Sequence, residues 1–105
     1  MTTMEKYFLH GRLSATKGNG GKLATTLLEA SRLMVNAKGC YLYIVSKDRI
    51  QSDSVWITEV WESREDLDNS LKVEGVRELI STAMPILDDP PEKGQELDVP
   101  GGLGL

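Results

Sequence analysis

Glu59 and Trp61 are the residues whose types and spacing are best suited to chemistry. They stand two positions apart in the run SVWITEVW at 54–61, and side chains two apart on a strand share one face. A carboxylate on a largely apolar face has a raised pKa, which suits proton transfer near neutral pH. We therefore predict that Glu59 is a catalytic base or acid. The alternative is a structural carboxylate paired with Arg32 or Arg77.

Three aromatic side chains could hold a flat ligand. An indole offers stacking area and an N–H donor, so Trp61 is predicted to form a wall of a binding pocket. The alternative for Trp61 is a core position beneath the second helix. Tyr41 and Tyr43, also two apart, would share a strand face and could hydrogen-bond a substrate oxygen. Aromatic residues are common in strands, so a structural role is their alternative.

His10 is the only histidine of the chain, and histidine is the side chain that changes charge near neutral pH. On the first strand it shares a face with Phe8 and Arg12. The pattern leaves open whether this face meets a pocket or a partner. His10 is therefore a second candidate catalytic residue, with a surface or interface position as the alternative. One histidine and the single Cys40 are too few for a Cys/His zinc site, and we predict no metal.

The glycine-rich stretch KGNGG at 17–21 invites comparison with phosphate-binding loops. A P-loop would need glycine in place of Thr16 and serine or threonine in place of Leu23. The stretch is therefore predicted to serve the turn into the first helix. The N-terminus of that helix could still attract an anion.

Hydrophobic periodicity predicts the elements that position these residues. Apolar residues at 23, 27, 30, 34 and 37 form a helical stripe followed by Gly39 as a C-terminal cap, and Ser63 is a predicted N-cap. The predicted elements are a strand over 7–13, a helix over 22–37, strands over 40–45 and 54–61, a helix from 63 with a break at 71–75 and a second part to 84, and a strand over 95–99.

This order predicts an α+β, ferredoxin-like βαββαβ fold with a four-stranded antiparallel sheet and both helices on one face. Ile57, Glu59 and Trp61 would face a pocket under the helices. Trp56 and Val60, with Thr58 between them, would lie on the bare face. A bare apolar face of this kind is rarely left exposed, so we expect a homodimer packed sheet to sheet.

Length and charge limit the remaining possibilities. The chain has 105 residues, with 12 basic and 16 acidic side chains and a net charge of −4. We expect one domain over 1–100 and a flexible C-terminal tail over 101–105. No basic cluster supports binding to nucleic acid or to a membrane. Without a signal-peptide pattern at the N-terminus or a membrane-spanning run, cytoplasm is the expected compartment.

Four stretches, in their order and spacing, resemble the antibiotic biosynthesis monooxygenase family of dimeric α/β-barrel proteins. They are KGCYLY at 38–43, TEVWESREDL at 58–67, RELI at 77–80 and MPIL at 84–87. The resemblance implies a dimeric α/β barrel and oxidation of a quinol or polycyclic phenol by molecular oxygen, with no cofactor. Family members commonly carry a histidine at the position of Ser70, and the resemblance implies that Ser70 touches substrate.

Two other functions compete with this one. Haem degradation, found in a related branch, would need an axial ligand on the second helical segment, and residues 69–83 contain no histidine. The remaining alternative is a non-catalytic dimer that binds small aromatics or acts in a stress response. Serine in place of histidine at Ser70 favours that alternative, whereas Glu59 and Trp61 favour catalysis.

Overall fold

In a computed structural model of the chain, residues 5–90 and 93–105 are described. The N-terminal residues used to predict the absence of a signal peptide lie partly outside this range. The strands and helices are β1 (Lys6–Ser14), α1 (Gly20–Leu33), β2 (Cys40–Lys47), β3 (Ser54–Trp61), α2 (Arg64–Asn69), α3 (Val76–Ala83) and β4 (Gln95–Val99). Short 3₁₀ turns follow the three helices at Met34–Asn36, Ser70–Lys72 and Met84–Ile86.

The four strands form one antiparallel sheet in the order β2-β3-β1-β4. With the helices in their observed order, this is the predicted ferredoxin-like α+β fold. The two central strands, β1 and β3, pair from Tyr7–Trp61 to Ser14–Ser54. Glu59 therefore lies in the middle of the sheet.

Two clusters of buried side chains join the helices to one face of the sheet. The first contains Leu23 and Ala24 of α1 with Val55 and Ile57 of β3, and the second contains Trp61 with Met34 and Val76. Alternation along β3 places Val55, Ile57, Glu59 and Trp61 on this face, as predicted. The helical stripe of α1 thus packs onto odd-numbered positions of β3.

Asp53, in the loop before β3, binds the N-terminus of α1. Its carboxylate accepts hydrogen bonds from the backbone N–H of Gly18 at 3.2 Å and of Gly20 at 2.9 Å. A side chain at Gly20 would collide with the carbonyl of Ser52, so glycine permits this approach. The anion expected at the helix N-terminus is therefore supplied by the chain itself.

The second helical region consists of two helices. The hydroxyl of Ser63 accepts a hydrogen bond of 3.2 Å from the N–H of Asp66, which confirms the predicted N-cap of α2. Gly75 has φ of 92° immediately before α3 and therefore accounts for the break predicted at 71–75. Gly39 also has a positive φ, but α1 and its 3₁₀ turn end earlier, at Asn36, so the prediction that Gly39 caps α1 is wrong.

The other face of the sheet carries no helix and is the open face. Cross-strand pairing aligns Leu42, Val60, Phe8 and Leu97 in a row that crosses all four strands. Leu42 is 38% exposed and Leu97 is 55% exposed. Trp56 and Thr58, as predicted, lie on this face with Val60.

A β-bulge interrupts the pairing of β2 with β3. Cys40 lies opposite Trp61 and Leu42 opposite Val60, so Tyr41 is an extra residue on β2.

No helix of the described residues is long and apolar enough to cross a membrane. Residues 101–105 follow β4 and are exposed.

Candidate active site

A cavity of about 330 Å³ lies between the sheet and helices α1 and α3, and is called the main cavity. Most of its wall is aliphatic or thioether, as in sites that bind apolar ligands. The apolar side chains come from β1, from α1 and its 3₁₀ turn, and from the region 67–87. They include Leu13, Leu27, Ala30, Met34, Leu67, Leu79, Ile80 and Ala83. The polar side chains in the wall are Thr26, Tyr43, Glu59 and Ser70.

Glu59 places a carboxylate in this apolar wall. The residue is 8% exposed, and its Oε1 accepts a hydrogen bond of 3.0 Å from Trp61 Nε1. Burial raises the pKa of Glu59, because the charged form loses hydration, while the Trp61 hydrogen bond acts in the opposite direction. In the part of the chain described, neither Arg32 nor Arg77 forms an ion pair with it. Glu59 is therefore a poorly hydrated carboxylate that would readily accept a proton.

Trp61 holds this carboxylate but is not part of the cavity wall. The residue is 0% exposed and packs with Met34 and Val76. This packing fits the alternative of a core position beneath the second helical region. Its indole N–H nevertheless fixes the direction of Glu59, which gives Trp61 a positioning role.

Tyr43 lies directly opposite Glu59 on β2 and completes the polar part of the wall. Burial and the neighbouring negative charge of Glu59 both raise the pKa of the Tyr43 phenol, so its proton is firmly held. No hydrogen bond of this hydroxyl is found among the described residues. Tyr43 can therefore donate to an oxygen atom of a ligand in the main cavity.

The two aliphatic hydroxyls of the wall are already engaged within their own helical turns. Thr26 Oγ1 donates to the carbonyl of Lys22 at 3.0 Å, and Ser70 Oγ donates to the carbonyl of Leu67. Ser70 lines the main cavity, so it lies where a substrate contact would be made. Its hydroxyl proton, however, is directed to the backbone.

A second cavity of about 200 Å³ lies along β1 and is called the side cavity. Leu13, Leu27, Tyr43 and Glu59 belong to the walls of both cavities. They therefore form the partition between the two. The remaining wall of the side cavity is made by Leu9, Gly11, Arg12, Ile57 and Gly94.

His10 lies on the open face, away from both cavities. Its ring stacks on Trp56 with 5.0 Å between centroids, and its Nδ1 is 2.9 Å from Thr58 Oγ1. The structure therefore separates His10 from Glu59 by the thickness of the sheet. A role for His10 at an interface fits this position better than a role in catalysis.

Tyr41 also lies outside the main cavity. Because of the bulge, its side chain turns to Glu62, to which its hydroxyl donates a hydrogen bond, and the ammonium of Lys6 lies 4.8 Å from its ring centroid. The expectation that Tyr41 and Tyr43 share a face is wrong, since the inserted residue breaks the alternation.

Sequence reasoning missed the walls that the helices contribute. The helical periodicity predicts Leu27, Ala30 and Met34 only as part of the buried stripe of α1, although the same periodicity is enough to place them above Glu59. Gly11 is a glycine within a strand, which often marks a close approach of another backbone or a ligand. That signal could have indicated the side cavity.

The arrangement has the groups needed for proton transfer beside an apolar wall. Among the described residues, no group of three His, Cys, Asp or Glu side chains could hold a metal ion. Glu59 can accept a proton, Tyr43 can donate a hydrogen bond, and the aliphatic walls can bind the flat body of an aromatic ligand.

Comparison with known proteins gives a match that spans most of the chain. The family model described as antibiotic biosynthesis monooxygenase matches residues 6–81. The chain belongs to the antibiotic biosynthesis monooxygenase family. The matched residues 6–81 include both Glu59 and Tyr43 and all of the residues named above for the walls except Ala83 and Gly94.

Solved structures of candidate members of the antibiotic biosynthesis monooxygenase family are similar to this chain. One from Chloroflexus aurantiacus is 32% identical, with a TM-score of 0.82, over 92% of this chain and 95% of that chain. One from Deinococcus radiodurans is 26% identical, with a TM-score of 0.70, over 91% and 92% of the two chains. One from Nitrosomonas europaea, at 11% identity and a TM-score of 0.80 over 98% and 94%, shares the fold. Comparison with functionally curated proteins gives no match.

Proposed function

We propose that the chain is a cofactor-independent monooxygenase that oxidises a quinol or polycyclic phenol with molecular oxygen. The observation that carries the proposal is the buried Glu59 carboxylate, held by Trp61 in the wall of an apolar cavity. Membership of the antibiotic biosynthesis monooxygenase family supports a monooxygenase in general. The choice of an aromatic substrate goes beyond family membership and is the part that we propose.

In the proposed reaction, Glu59 accepts the phenolic proton and Tyr43 donates a hydrogen bond to the resulting oxyanion. The deprotonated ring has carbanion character at a ring carbon, which forms a bond to dioxygen. Loss of water from the hydroperoxide then gives a carbonyl. Overall, the substrate loses its phenolic hydrogen and the one hydrogen of the reacting ring carbon, that carbon gains one oxygen atom as the carbonyl, and the second oxygen atom leaves with the two hydrogens as water. The four electrons lost by carbon are those that reduce dioxygen.

Oxygen consumption with a panel of quinols and naphthols tests the proposal. Glu59→Gln keeps an oxygen that can accept from Trp61 but removes the base, and we expect kcat/KM to fall by about 100-fold or more. Glu29→Gln, at an exposed position of α1, is the matched control and should retain the rate. Unchanged turnover in Glu59→Gln would exclude Glu59 as the base.

We also propose that the chain forms a homodimer through its open face. The row Leu42, Val60, Phe8 and Leu97 crosses the whole sheet, and Ile44 beside it is 45% exposed. A second copy of the same face would remove this apolar surface from water.

The second candidate function is a non-catalytic dimer that binds small aromatics. The engaged hydroxyl of Ser70 favours it, because that side chain offers no free proton donor to a substrate in the main cavity. Calorimetric binding of a naphthol, with no oxygen consumed and no quinone formed under air, would support this function over catalysis.

A further inference from the structure

The side cavity has features that the proposed function does not use. It has about 200 Å³ and adjoins the main cavity, and Glu59 and Tyr43 stand in the partition between them. A ligand in the side cavity would therefore lie next to the same carboxylate and phenol as a ligand in the main cavity. The two cavities can serve two different reactants.

Two residues without side chains, Gly11 and Gly94, line the side cavity. Gly11 faces it from the middle of β1, between the much larger Leu9 and Leu13. Gly94 closes it from the segment before β4, where a β-carbon would be 2.8 Å from the carbonyl oxygen of His10. Any larger residue at Gly11 would project into the cavity and approach Gly94.

The chemistry of the wall is suited to a small apolar ligand. Leu9, Leu13, Leu27 and Ile57 supply aliphatic side chains on several sides. The rest of the wall is polar and carries Arg12, Tyr43 and Glu59. The aliphatic part offers dispersion contacts to a small apolar molecule, as the walls of cavities that bind xenon do. Dioxygen is likewise small and apolar.

We propose that the side cavity is the dioxygen site, which supplies the gas to an aromatic reactant held in the main cavity. This inference rests on the proposed monooxygenase function. It explains why the partition carries Glu59, since deprotonation of the aromatic and encounter with dioxygen must occur at one place. It also gives dioxygen a space of its own when the aromatic fills the main cavity.

Xenon binding tests the site without any need for turnover. Methyl NMR signals would be followed on titration with xenon, with and without saturating 2-naphthol in solution. We expect naphthol to abolish the xenon response of Leu79 and Ile80, in the main cavity, and to preserve that of Leu9 and Ile57. Loss of the Leu9 and Ile57 responses with naphthol, or no response in either case, would overturn the proposal.

Kinetics supply the second test. Leu9→Phe and the milder Gly11→Ala both fill the side cavity, and we expect KM for dioxygen to rise by about threefold to tenfold while KM for the phenol is unchanged. Ala83→Val, in the wall of the main cavity only, should raise KM for the phenol instead. A rise in KM for the phenol in Leu9→Phe or Gly11→Ala would show that the side cavity holds part of the aromatic, and would overturn the proposal.

If wild-type protein consumes no oxygen with any phenol, the proposed function fails and the xenon experiment still decides the cavity. If oxygen is consumed but the side cavity binds no xenon, the monooxygenase stands and the dioxygen site is wrong. The two failures are therefore distinguishable.

Discussion

Glu59 carries an ionisable carboxylate and is buried, and these two conditions oppose each other in a folded protein. A carboxylate is hydrated strongly in water, and burial of Glu59 to 8% exposure in the apolar wall of the main cavity removes most of that hydration. The indole N–H of Trp61 replaces part of the lost hydration by donating one hydrogen bond of 3.0 Å to the Glu59 carboxylate. The carboxylate is thus kept in a fixed direction but is only partly compensated, which is the state expected of a proton acceptor.

The hydrogen bond from Trp61 gives a prediction about pH. Trp61→Phe removes a donor that stabilises the charged form of Glu59, so the pKa of Glu59 should rise further. Because the base must be ionised, the acidic limb of the kcat/KM profile should move to higher pH. Turnover of a quinol measured across pH tests this.

Trp56→Phe is the matched control for that experiment. Trp56 lies on the open face, and its indole donates to Asp48 rather than to Glu59. The acidic limb of the kcat/KM profile of Trp56→Phe should coincide with that of the wild type. If the kcat/KM profile of Trp61→Phe differs from that of the wild type only in its maximum value, and not in the pH of its acidic limb, Trp61 acts through packing alone.

At the scale of elements, loop carboxylates connect parts of the chain that are distant in sequence. Asp53 bonds the N–H groups of Gly18 and Gly20 and so joins the β2–β3 loop to the start of α1. Since α1 forms one wall of the main cavity, this contact anchors the start of a helix that lines the site.

Removal of that carboxylate should destabilise the fold. Asp53→Ala leaves two N–H groups at the start of α1 without their acceptor, and we expect the free energy of unfolding to fall by about 1–2 kcal/mol. Urea denaturation followed by circular dichroism measures this. Asp89→Ala, at an exposed position, should change little, and equal stability of the two variants would contradict the role given to Asp53.

Asp48 shapes the β2–β3 hairpin and gives a prediction at low pH. Hydrogen bonds from the N–H groups of Gln51 and Ile50 and from the Trp56 indole lower the pKa of Asp48 to about 2. A lowered pKa in the folded state stabilises the fold above the unfolded value of about 4. This contribution should be lost as pH falls from about 4 towards 2.

Carboxyl NMR titration measures the Asp48 pKa directly, and denaturation at several pH values measures the stability. Asp48→Asn should flatten the change in stability between about pH 4 and pH 2. If the Asp48 signal titrates near the ordinary pKa of an aspartate, these hydrogen bonds do not stabilise the carboxylate when the protein is in solution.

At the scale of the whole molecule, the two faces of the sheet have different surroundings. One is covered by the helices and holds both cavities. The other carries the row of Leu42, Val60, Phe8 and Leu97 and the stack of His10 on Trp56. The proposed second copy would cover this face and leave the main cavity unobstructed.

A charge placed on the open face should prevent association. Ile44 is 45% exposed and lies opposite Thr58. Ile44→Lys would bring a charge from each copy into the interface, where desolvation is costly, and we expect the mass measured by light scattering to halve. Arg49→Ala, in the hairpin loop, is the control. A monomeric wild type would contradict the proposed dimer.

The fold was predictable because its signals are periodic. Alternation along β3 and the stripe of α1 both depend on spacing alone, and the structure confirms them. Tyr43, predicted to hydrogen-bond a substrate oxygen, does line the main cavity. The α1 boundary was less predictable, because Asp53 comes from a distant loop to bind the start of that helix.

The parts of the site that were missed depend on packing. Strand alternation cannot show that the Trp61 indole turns towards Glu59 and away from the cavity, since neighbouring side chains decide that rotamer. Alternation also cannot reveal an inserted residue, so Tyr41 was placed on the wrong face. The cavities themselves arise from the distance between helices and sheet, which one sequence does not encode in any local pattern.

The bulge at Tyr41 also affects how the protein avoids aggregation. The strands β2 and β4 are the free edges of the sheet, and an exposed edge can pair with a strand of another molecule. The bulge disturbs the regular spacing of β2, while β4 has five residues and carries Glu96 and Asp98. Both edges are therefore poor templates for a further strand, so self-association by growth of the sheet into fibrils is disfavoured.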